Sequence, residues 1–342
     1  MDKHSHMPSM NTHKALPSVP EVLIGSGGAA ALFDAAVESA QAQIDDANRR
    51  FTRAGVALAD GRSKAWLERA DSPFLDEIDA VARAAGRPGA WLLNCSYEWG
   101  CTSAVTPDPA GQGMRLLRTL DWPFHGLGRA LMGARMTGAV GDWFNITWPG
   151  FAGVLTANCP GRFAVAFNQT PMFARRLGPI AFPMPLDWVL NRVAMGKRRA
   201  LPPAHLLRQV CDEAGDYTEA KQRICETPLA APCFVTLAGV EPGEGCVIER
   251  HETGAIVHEA PSAITNHWLT EGLTGHARTR DTHDRLGRMQ DVMEQASDLD
   301  WVTAPILNSH TRLAAEMNPA TGKSLVQGYE KDGAVSSATP FA

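Results

Sequence analysis

The chain has 342 residues, 44% apolar and 20% charged, with a formal net charge of −5. That length and balance describe one large or two ordinary globular domains with a sizeable core. The mild acidity, with no Lys/Arg stripe carrying interleaved aromatics, excludes a nucleic-acid partner from the expected functions.

Residues 1–20 read as a disordered tail, rich in His, Ser and Pro without periodicity. His4 and His6 fall in it and are read as tail, not as metal ligands. The first residues have no apolar h-region, so no secretory signal is expected, and no apolar run is long enough to span a bilayer. From Gly28 the pattern turns helical, with Ala29, Leu32, Phe33, Ala36, Val37, Ala40, Ile44 and Ala47 on one face. A second helix is expected after Ser72-Pro73, carrying Phe74, Leu75, Ile78, Val81, Ala82 and Ala85, and stopping at Gly86-Arg87-Pro88-Gly89. A third, short helix from Ala90 delivers the chain to Cys101. Residues 21–100 thus read as a helical unit without chemistry of its own.

From Cys101 the signal is strand and turn. A strand to Thr106, the turn Pro107-Asp108-Pro109-Ala110-Gly111 and a strand over residues 114–122 predict a hairpin that returns Arg118 and Asp121 towards Cys101. Further strands are expected over 131–136, 143–148, 154–158 and 163–168, the last two joined by Cys159-Pro160-Gly161-Arg162. A helical block over 185–226 follows, then strands over 233–240, 246–252, 255–258 and 263–265. A helix over 282–296 and a hairpin over 311–317 and 324–329 close the chain. Hairpins, helices, then strands and helices again give an α+β order. No Gly-x-Gly-x-x-Gly follows a strand and no phosphate loop occurs, so no nucleotide cofactor is expected.

The seven cysteines form no Cys-x-x-Cys pair. Neither a disulfide framework nor a zinc ribbon is indicated, and a reducing cytoplasm is the expected address. Cys95, Cys159, Cys211, Cys225, Cys233 and Cys246 read as small core residues. Cys101 differs: Gly100 precedes it, Thr102 and Ser103 follow, and a sharp change of composition falls there. It reads as a candidate nucleophile.

Cys101-Thr102-Ser103 followed by Arg118-x-x-Asp121-Trp122 resembles the opening of the N-terminal nucleophile hydrolases of the acid ceramidase, N-acylethanolamine amidase, penicillin acyltransferase and bile-salt hydrolase group. Pro149-Gly150-Phe151-Ala152-Gly153-Val154-Leu155-Thr156 ahead of Phe167-Asn168 resembles the group's mid-region, as does Ala231-Pro232-Cys233-Phe234 leading to Gly245-Cys246-Val247-Ile248. Thr265-Asn266-His267-Trp268, then Arg278-Thr279-Arg280, resembles its late Asn/Arg element. The resemblance implies a four-layer αββα sandwich of two antiparallel sheets and a self-made cut between Gly100 and Cys101. It divides the chain into a helical pro-segment, 21–100, and a catalytic chain, 101–342.

The implied chemistry is amide hydrolysis through a thioester on Cys101, without cofactor or metal. A thiol is only a few per cent thiolate at neutral pH, and a freed Cys101 α-amine of pKa about 7.7–8.0 would accept its proton. Asp121 would hold that amine, and Arg118 would favour the thiolate and bind a substrate carbonyl. Asn266 would donate to the oxyanion, a contribution of roughly 3–4 kcal/mol in comparable sites. Arg280, or else Arg278, would brace the site, with Asn168 and Gln169 in support. The implied partners are a small N-acyl amide and the chain's own N-terminal segment, and a homo-oligomer is compatible with the pattern. Trp122-Pro123-Phe124, Trp143-Phe144 and Phe182-Pro183-Met184-Pro185 are candidate walls of an acyl pocket, or else core.

Two departures stand out. Asn266-His267-Trp268 is shorter than the lysosomal members' Asn-x-Asp-x-Trp, and Gln169 stands beside Asn168 where those members carry a glutamate. Other readings remain: an acyltransferase using the same nucleophile, an unprocessed binding protein on the same fold, and a Cys/His protease pairing Cys101 with His267 or His258. A metal hydrolase using His276 and His283 lacks the carboxylates it would need.

Overall fold

The computed structural model describes residues 15–95, 99–178, 180–252, 254–279 and 281–342. In chain order it begins with strand β1 (Glu21–Gly25) and helices α1 (Gly28–Ala35), α2 (Val37–Phe51), α3 (Arg53–Arg69), α4 (Leu75–Ala85) and α5 (Ala90–Asn94). Then come strands β2 (Gly100–Pro107), β3 (Met114–Asp121), β4 (Met132–Gly138), β5 (Gly141–Thr147), β6 (Thr156–Cys159) and β7 (Phe163–Gln169). A small hairpin, β8 (Arg176–Leu177) and β9 (Ile180–Ala181), leads into α6 (Met184–Met195), α7 (Pro203–Glu213) and α8 (Tyr217–Glu226). The rest is β10 (Cys233–Gly239), β11 (Gly245–Arg250), β12 (Ala255–Glu259), β13 (Ser262–Ile264), α9 (Thr282–Val292), β14 (Thr311–Met317), β15 (Ser324–Glu330), β16 (Gly333–Ala334) and β17 (Thr339–Phe341).

The strands make two large sheets. One runs β1-β4-β5-β6-β7-β10-β11-β12 and the other β13-β2-β3-β14-β15-β16, with β17 also on β15. All pairings are antiparallel except β1 on β4. The sheets face each other through β2 and β3 on one side and β7 and β10 on the other. Helix α9 covers the outer face of the second sheet, and α7 and α8 cover the first. This is the expected α+β sandwich with four layers, α, β, β, α.

The period-2 alternation of a strand explains how one strand serves two layers. On β2, Cys101 and Val105 enter the core between the sheets, whereas Ala104 packs in the cluster under α9 with Leu117 and Met289. The β2–β3 hairpin turns where the Pro/Asp/Gly run predicts it: Asp108 accepts from the Ala110 N–H at 2.8 Å. Helix α4 stops at Gly86, whose φ of +65° is left-handed, with Pro88 beyond.

Three differences from the sequence expectation concern the N-terminal unit. Residues 21–25 form β1, so the unit is not purely helical. A five-residue strand at a sheet edge, half exposed, carries too little alternation to stand out. Residues 15–20, expected in the tail, run along the C-terminal edge: Val19 N–H donates to Thr339 Oγ1 at 2.9 Å, and the Pro17 carbonyl accepts from Ser337. Residues 1–14 lie outside the described residues. Helix α3 escaped notice because its apolar stripe is weak; it buries Val56, Ser63, Trp66 and Leu67.

Candidate active site

The hairpin register decides what surrounds Cys101. Across β2 and β3, Cys101 pairs with Leu120, Ser103 with Arg118 and Gly100 with Asp121. Cys101 is fully buried, and its Sγ lies 3.7 Å from the Phe167 carbonyl of β7. Arg118, also fully buried, reaches across the strand pair. Its Nη2 donates to Cys101 Sγ at 3.3 Å and its Nη1 to Asn168 Oδ1 at 2.7 Å.

Asn168 is held in turn. Its Oδ1 also accepts from Ser103 Oγ at 3.1 Å, and its Nδ2 donates to the carbonyls of Ile264 and Thr265. Asn168 therefore joins the two sheets and fixes the tip of Arg118. Burial pushes the Cys101 thiol above the ordinary range. The Arg118 charge works against that, Asp121 adds to it and Arg285 opposes it.

A second cluster holds the backbone of Cys101. Its N–H donates to Asn266 Oδ1 at 2.8 Å. Arg285 Nη1 donates to the Cys101 carbonyl at 2.7 Å, to Thr102 Oγ1 at 2.9 Å and to Asp121 Oδ2 at 3.3 Å. Arg285 Nη2 donates to Asn266 Oδ1 at 3.1 Å and to Thr279 Oγ1 at 2.6 Å. Asp121 is completed by Asn308 Nδ2 at 3.1 Å and Thr311 Oγ1 at 2.8 Å. Three donors to Asn266 Oδ1, the Cys101 N–H, Arg285 Nη2 and Thr279 Oγ1 at 3.5 Å, fix which way its amide points, and its Nδ2 donates to the Gln169 carbonyl at 2.9 Å.

The candidate residues therefore separate. Cys101, Arg118, Asp121, Asn168 and Asn266 come together, and Gln169 contributes its carbonyl. In the intact chain, two of them have other partners than those expected after the cut. Asn266 Oδ1 accepts from the Cys101 nitrogen, and the Nδ2 expected to donate to an oxyanion is held by the Gln169 carbonyl in the intact chain. Asp121 holds Arg285 and makes no bond to the Cys101 nitrogen. Arg278 sends its Nε to the Thr170 carbonyl at 2.8 Å. Arg280 lies outside the described residues.

Arg285, which is not among the residues the sequence pointed to, also braces the Cys101 backbone. It sits on the inner face of α9, on the stripe of Thr282 and Met289. That helical spacing, an arginine in line with an apolar stripe, was the available signal. His267 sits next to Asn266, its Nδ1 against the Thr265 and Thr282 hydroxyls at 3.0 Å each. His258 pairs with Glu249 at 3.0 Å. Among the described residues no group of three or more His, Cys, Asp or Glu side chains could hold a metal.

Gly100 has no room for a side chain. A Cβ there would overlap Thr279 Cγ2 and stand 3.3 Å from Asp121 Cβ and 3.5 Å from Asn266 Oδ1. On the other side of the seam Trp99 packs on Trp122, with ring centroids 5.0 Å apart. Both line a cavity of about 1550 Å³ that reaches out between α2, α3 and α6. Phe124, Trp148 and Phe151 also line it, and Cys101 does not. Trp143 and Phe144, candidate walls by sequence, are core instead: Trp143 Nε1 binds Asp212 at 2.9 Å, and Phe144 packs on Phe341. Of residues 182–185 only Met184 lines the cavity.

The chain resembles curated members of the group that the sequence pointed to. It is 33% identical to acid ceramidase of Heterocephalus glaber over 110 residues, 32% of this chain and 25% of the relative. It is 30% identical to the N-acylethanolamine-hydrolyzing acid amidase of Oryctolagus cuniculus over 168 residues, 48% of this chain and 43% of the relative. The matches thus span a quarter to under half of those relatives. A solved Caenorhabditis elegans N-acylethanolamine-hydrolyzing acid amidase ortholog superposes with a TM-score of 0.49 at 20% identity, covering 64% of this chain and 93% of that one. No protein-family model matches the chain.

Proposed function

We propose that this chain is a self-processing cysteine amidohydrolase that cuts a linear N-acyl amide through a thioester on Cys101. The observation that carries this reading is the double grip on one residue. Arg118 holds the Cys101 sulfur at 3.3 Å while Asn266 holds the Cys101 nitrogen at 2.8 Å. A structural cysteine needs neither partner. A nucleophile that must first be released as an N-terminus needs both.

In processing, Cys101 Sγ attacks the Gly100 carbonyl carbon. The C–S bond forms as the Gly100–Cys101 C–N bond breaks, and the departing nitrogen takes up a proton. Water then hydrolyses the thioester, leaving a Gly100 carboxylate and a free Cys101 amine. Asn266 Oδ1 already accepts from that nitrogen and keeps the new amine beside its own thiol. Arg285, anchored on Asp121, fixes the Cys101 carbonyl and so the pitch of the strand end. The tight space at Gly100 supports the same reading, because only a residue without Cβ allows the approach.

After the cut the amine accepts the thiol proton, and Arg118 stabilises the thiolate. The thiolate attacks the substrate carbonyl, the amine leaves with a proton, and water frees the acid. Arg118 Nε is buried with no hydrogen-bond partner among the described residues, so it is a donor available to the developing oxyanion. Trp99, no longer tethered to Cys101, would be free to leave Trp122 and open the apolar cavity to the sulfur. That cavity suits the acyl part of a substrate, in keeping with relatives named as a ceramidase and an N-acylethanolamine hydrolase. Incubating processed protein with a panel of N-acyl amides of graded chain length tests this reading. Release of free acid that is lost in Cys101→Ala supports it, and no turnover of any linear amide contradicts it.

A further inference from the structure

The run Pro149-Gly150-Phe151-Ala152-Gly153 takes no part in the chemistry at Cys101. It is instead a fastening point between the N-terminal helices and the catalytic chain. The fastener is one side chain, Asn94, the last residue of α5 and 2% exposed. Its Oδ1 accepts from the Ala152 N–H at 2.7 Å. Its Nδ2 donates to the Gly150 carbonyl at 3.0 Å and to the Ala90 carbonyl at 2.9 Å. The amide oxygen and both amide hydrogens are thereby used.

The loop is shaped to this partner. Gly150 has a φ of +77°, and a Cβ there would stand 3.1 Å from Val81 Cγ1 and 3.4 Å from Phe33 Cδ2, side chains of α4 and α1. The other side of the loop belongs to the catalytic chain. Arg208 Nη1 donates to the Ala152 carbonyl at 3.2 Å, and the Val154 N–H donates to the Ala204 carbonyl at 2.9 Å. At the end of the loop the Leu155 carbonyl accepts from the Phe167 N–H at 2.9 Å, and the Phe167 carbonyl lies 3.7 Å from Cys101 Sγ.

One loop therefore references both partners of the cut. Through Leu155 and Phe167 it reaches the strand beside the sulfur, and through Asn94 it holds the arm that carries Gly100. That arm is short: six residues on from Asn94 span at most about 20 Å. The start of α5 is held as well, because the Asp60 carboxylate accepts from the Gly89 and Leu92 N–H groups at 2.7 Å each. The rate of a cut within one chain follows the fraction of time for which carbonyl carbon and nucleophile stand in line. Holding α5 at both ends removes slack from the arm.

We propose that Asn94 is a positioning residue for the cut at Gly100–Cys101, docking the arm ahead of that bond onto the loop over 149–155. The proposal rests on the self-processing reading of this chain. Asn94 acts through the loop and the arm, not on the reacting atoms.

The test is a gel time course of cutting by the full chain, parent and Asn94→Asp, from about pH 8 to about pH 5. Each rate is divided by that of the parent at the same pH. An ionised carboxylate keeps the bond from Ala152 but turns an oxygen on the Gly150 and Ala90 carbonyls. Burial, those two carbonyls and Asp60 at the other end of α5 favour its protonation, against Arg208 at the Ala152 carbonyl and Arg192 at the Cys95 carbonyl. Once protonated, the carboxyl donates as the amide did. Asn94→Asp is expected to cut roughly tenfold or more slowly at the alkaline end and to approach the parent in acid. Ile78→Val thins the core of the same helical unit and makes none of these bonds, so it should melt lower and cut at the rate of the parent. If Asn94→Asp does not fold, Asp60→Asn decides, with severalfold slower cutting expected. The proposal alone is overturned if the parent cuts and Asn94→Asp matches it throughout, is equally slow at every pH, or is slowed no more than Ile78→Val; a parent-like Asp60→Asn overturns it where that variant decides. A parent that never cuts overturns the self-processing reading, and this proposal with it.

Discussion

Arg118 and Asp121 stand three residues apart on β3 and face opposite sides of the sheet. Arg118 points between the sheets to Cys101 Sγ, and Asp121 points towards α9 and Arg285. In a strand such spacing sends side chains to opposite faces. The motif therefore encodes two separate jobs, one at the sulfur and one behind the backbone. Replacing Arg118 by Ala should cost roughly a hundredfold or more in turnover, by losing charge at the thiolate and a donor at the oxyanion. Asp121→Asn should act elsewhere, leaving the Arg285 charge buried and uncompensated, at about 3–5 kcal/mol of stability. Urea unfolding of both variants beside their turnover separates the two: Arg118→Ala should lose activity out of proportion to stability, and Asp121→Asn should lose both.

Gly100→Ala should slow self-cutting strongly, since the new methyl overlaps Thr279 Cγ2. Removing that methyl with Thr279→Ser keeps the hydroxyl that Arg285 uses. The double variant Gly100→Ala/Thr279→Ser should regain much of the lost rate, read as a time course on a gel. Equal cutting by parent and Gly100→Ala would show that the close fit has no part in processing.

Arg285 is the hub behind Cys101, so Arg285→Lys should be poorly tolerated. An ammonium cannot reproduce the planar fork that reaches Cys101 O, Asp121 and Asn266 together. We expect slowed cutting in Arg285→Lys, with Arg278→Lys close to the parent. Similar rates for all three proteins would remove Arg285 from the account.

Acid should weaken the fold. Burial, and then the Arg208 charge, pushes His205 down to about 3; burial, with His283 and Arg285, pushes His267 down to about 4. Below the ordinary value near 6.5 the unfolded chain takes protons that the folded chain refuses. The stability from these neutral histidines is present above about pH 6.5 and is lost as pH falls through that value towards the folded ones. Each contributes a slope of at most ~1.4 kcal/mol per pH unit, and His205 does so over the wider pH range because its folded value lies lower. Urea midpoints at pH 7 and 4.5 check this: His267→Asn should flatten the fall, and its activity near neutral pH should change little. Abolished activity in that variant would favour a Cys/His pair instead.

The sheets were legible because alternation and Pro/Gly turns mark most strands of this chain, and the turn over 107–111 already returns Arg118 and Asp121 towards Cys101, though not their register. Strand β1 and helix α3 were not, since one is a short half-exposed edge and the other carries almost no apolar stripe. At the site, residue types read correctly as a cluster did not disclose directions. Nothing in the sequence says that Asn266 turns its oxygen to the Cys101 nitrogen, because the donors that settle it come from Arg285 and Thr279 on other segments. Arg285 lay hidden for the same reason, as one arginine among several near the start of α9, distinguished only by the face it shares with Met289.

The most direct test is the intact mass of freshly purified protein, with N-terminal sequencing of any fragments and Cys101→Ala as control. The account predicts two fragments from the parent, one beginning at Cys101, and a single uncut chain from Cys101→Ala. A parent that stays whole while hydrolysing amides, or a cut at another bond, would contradict it.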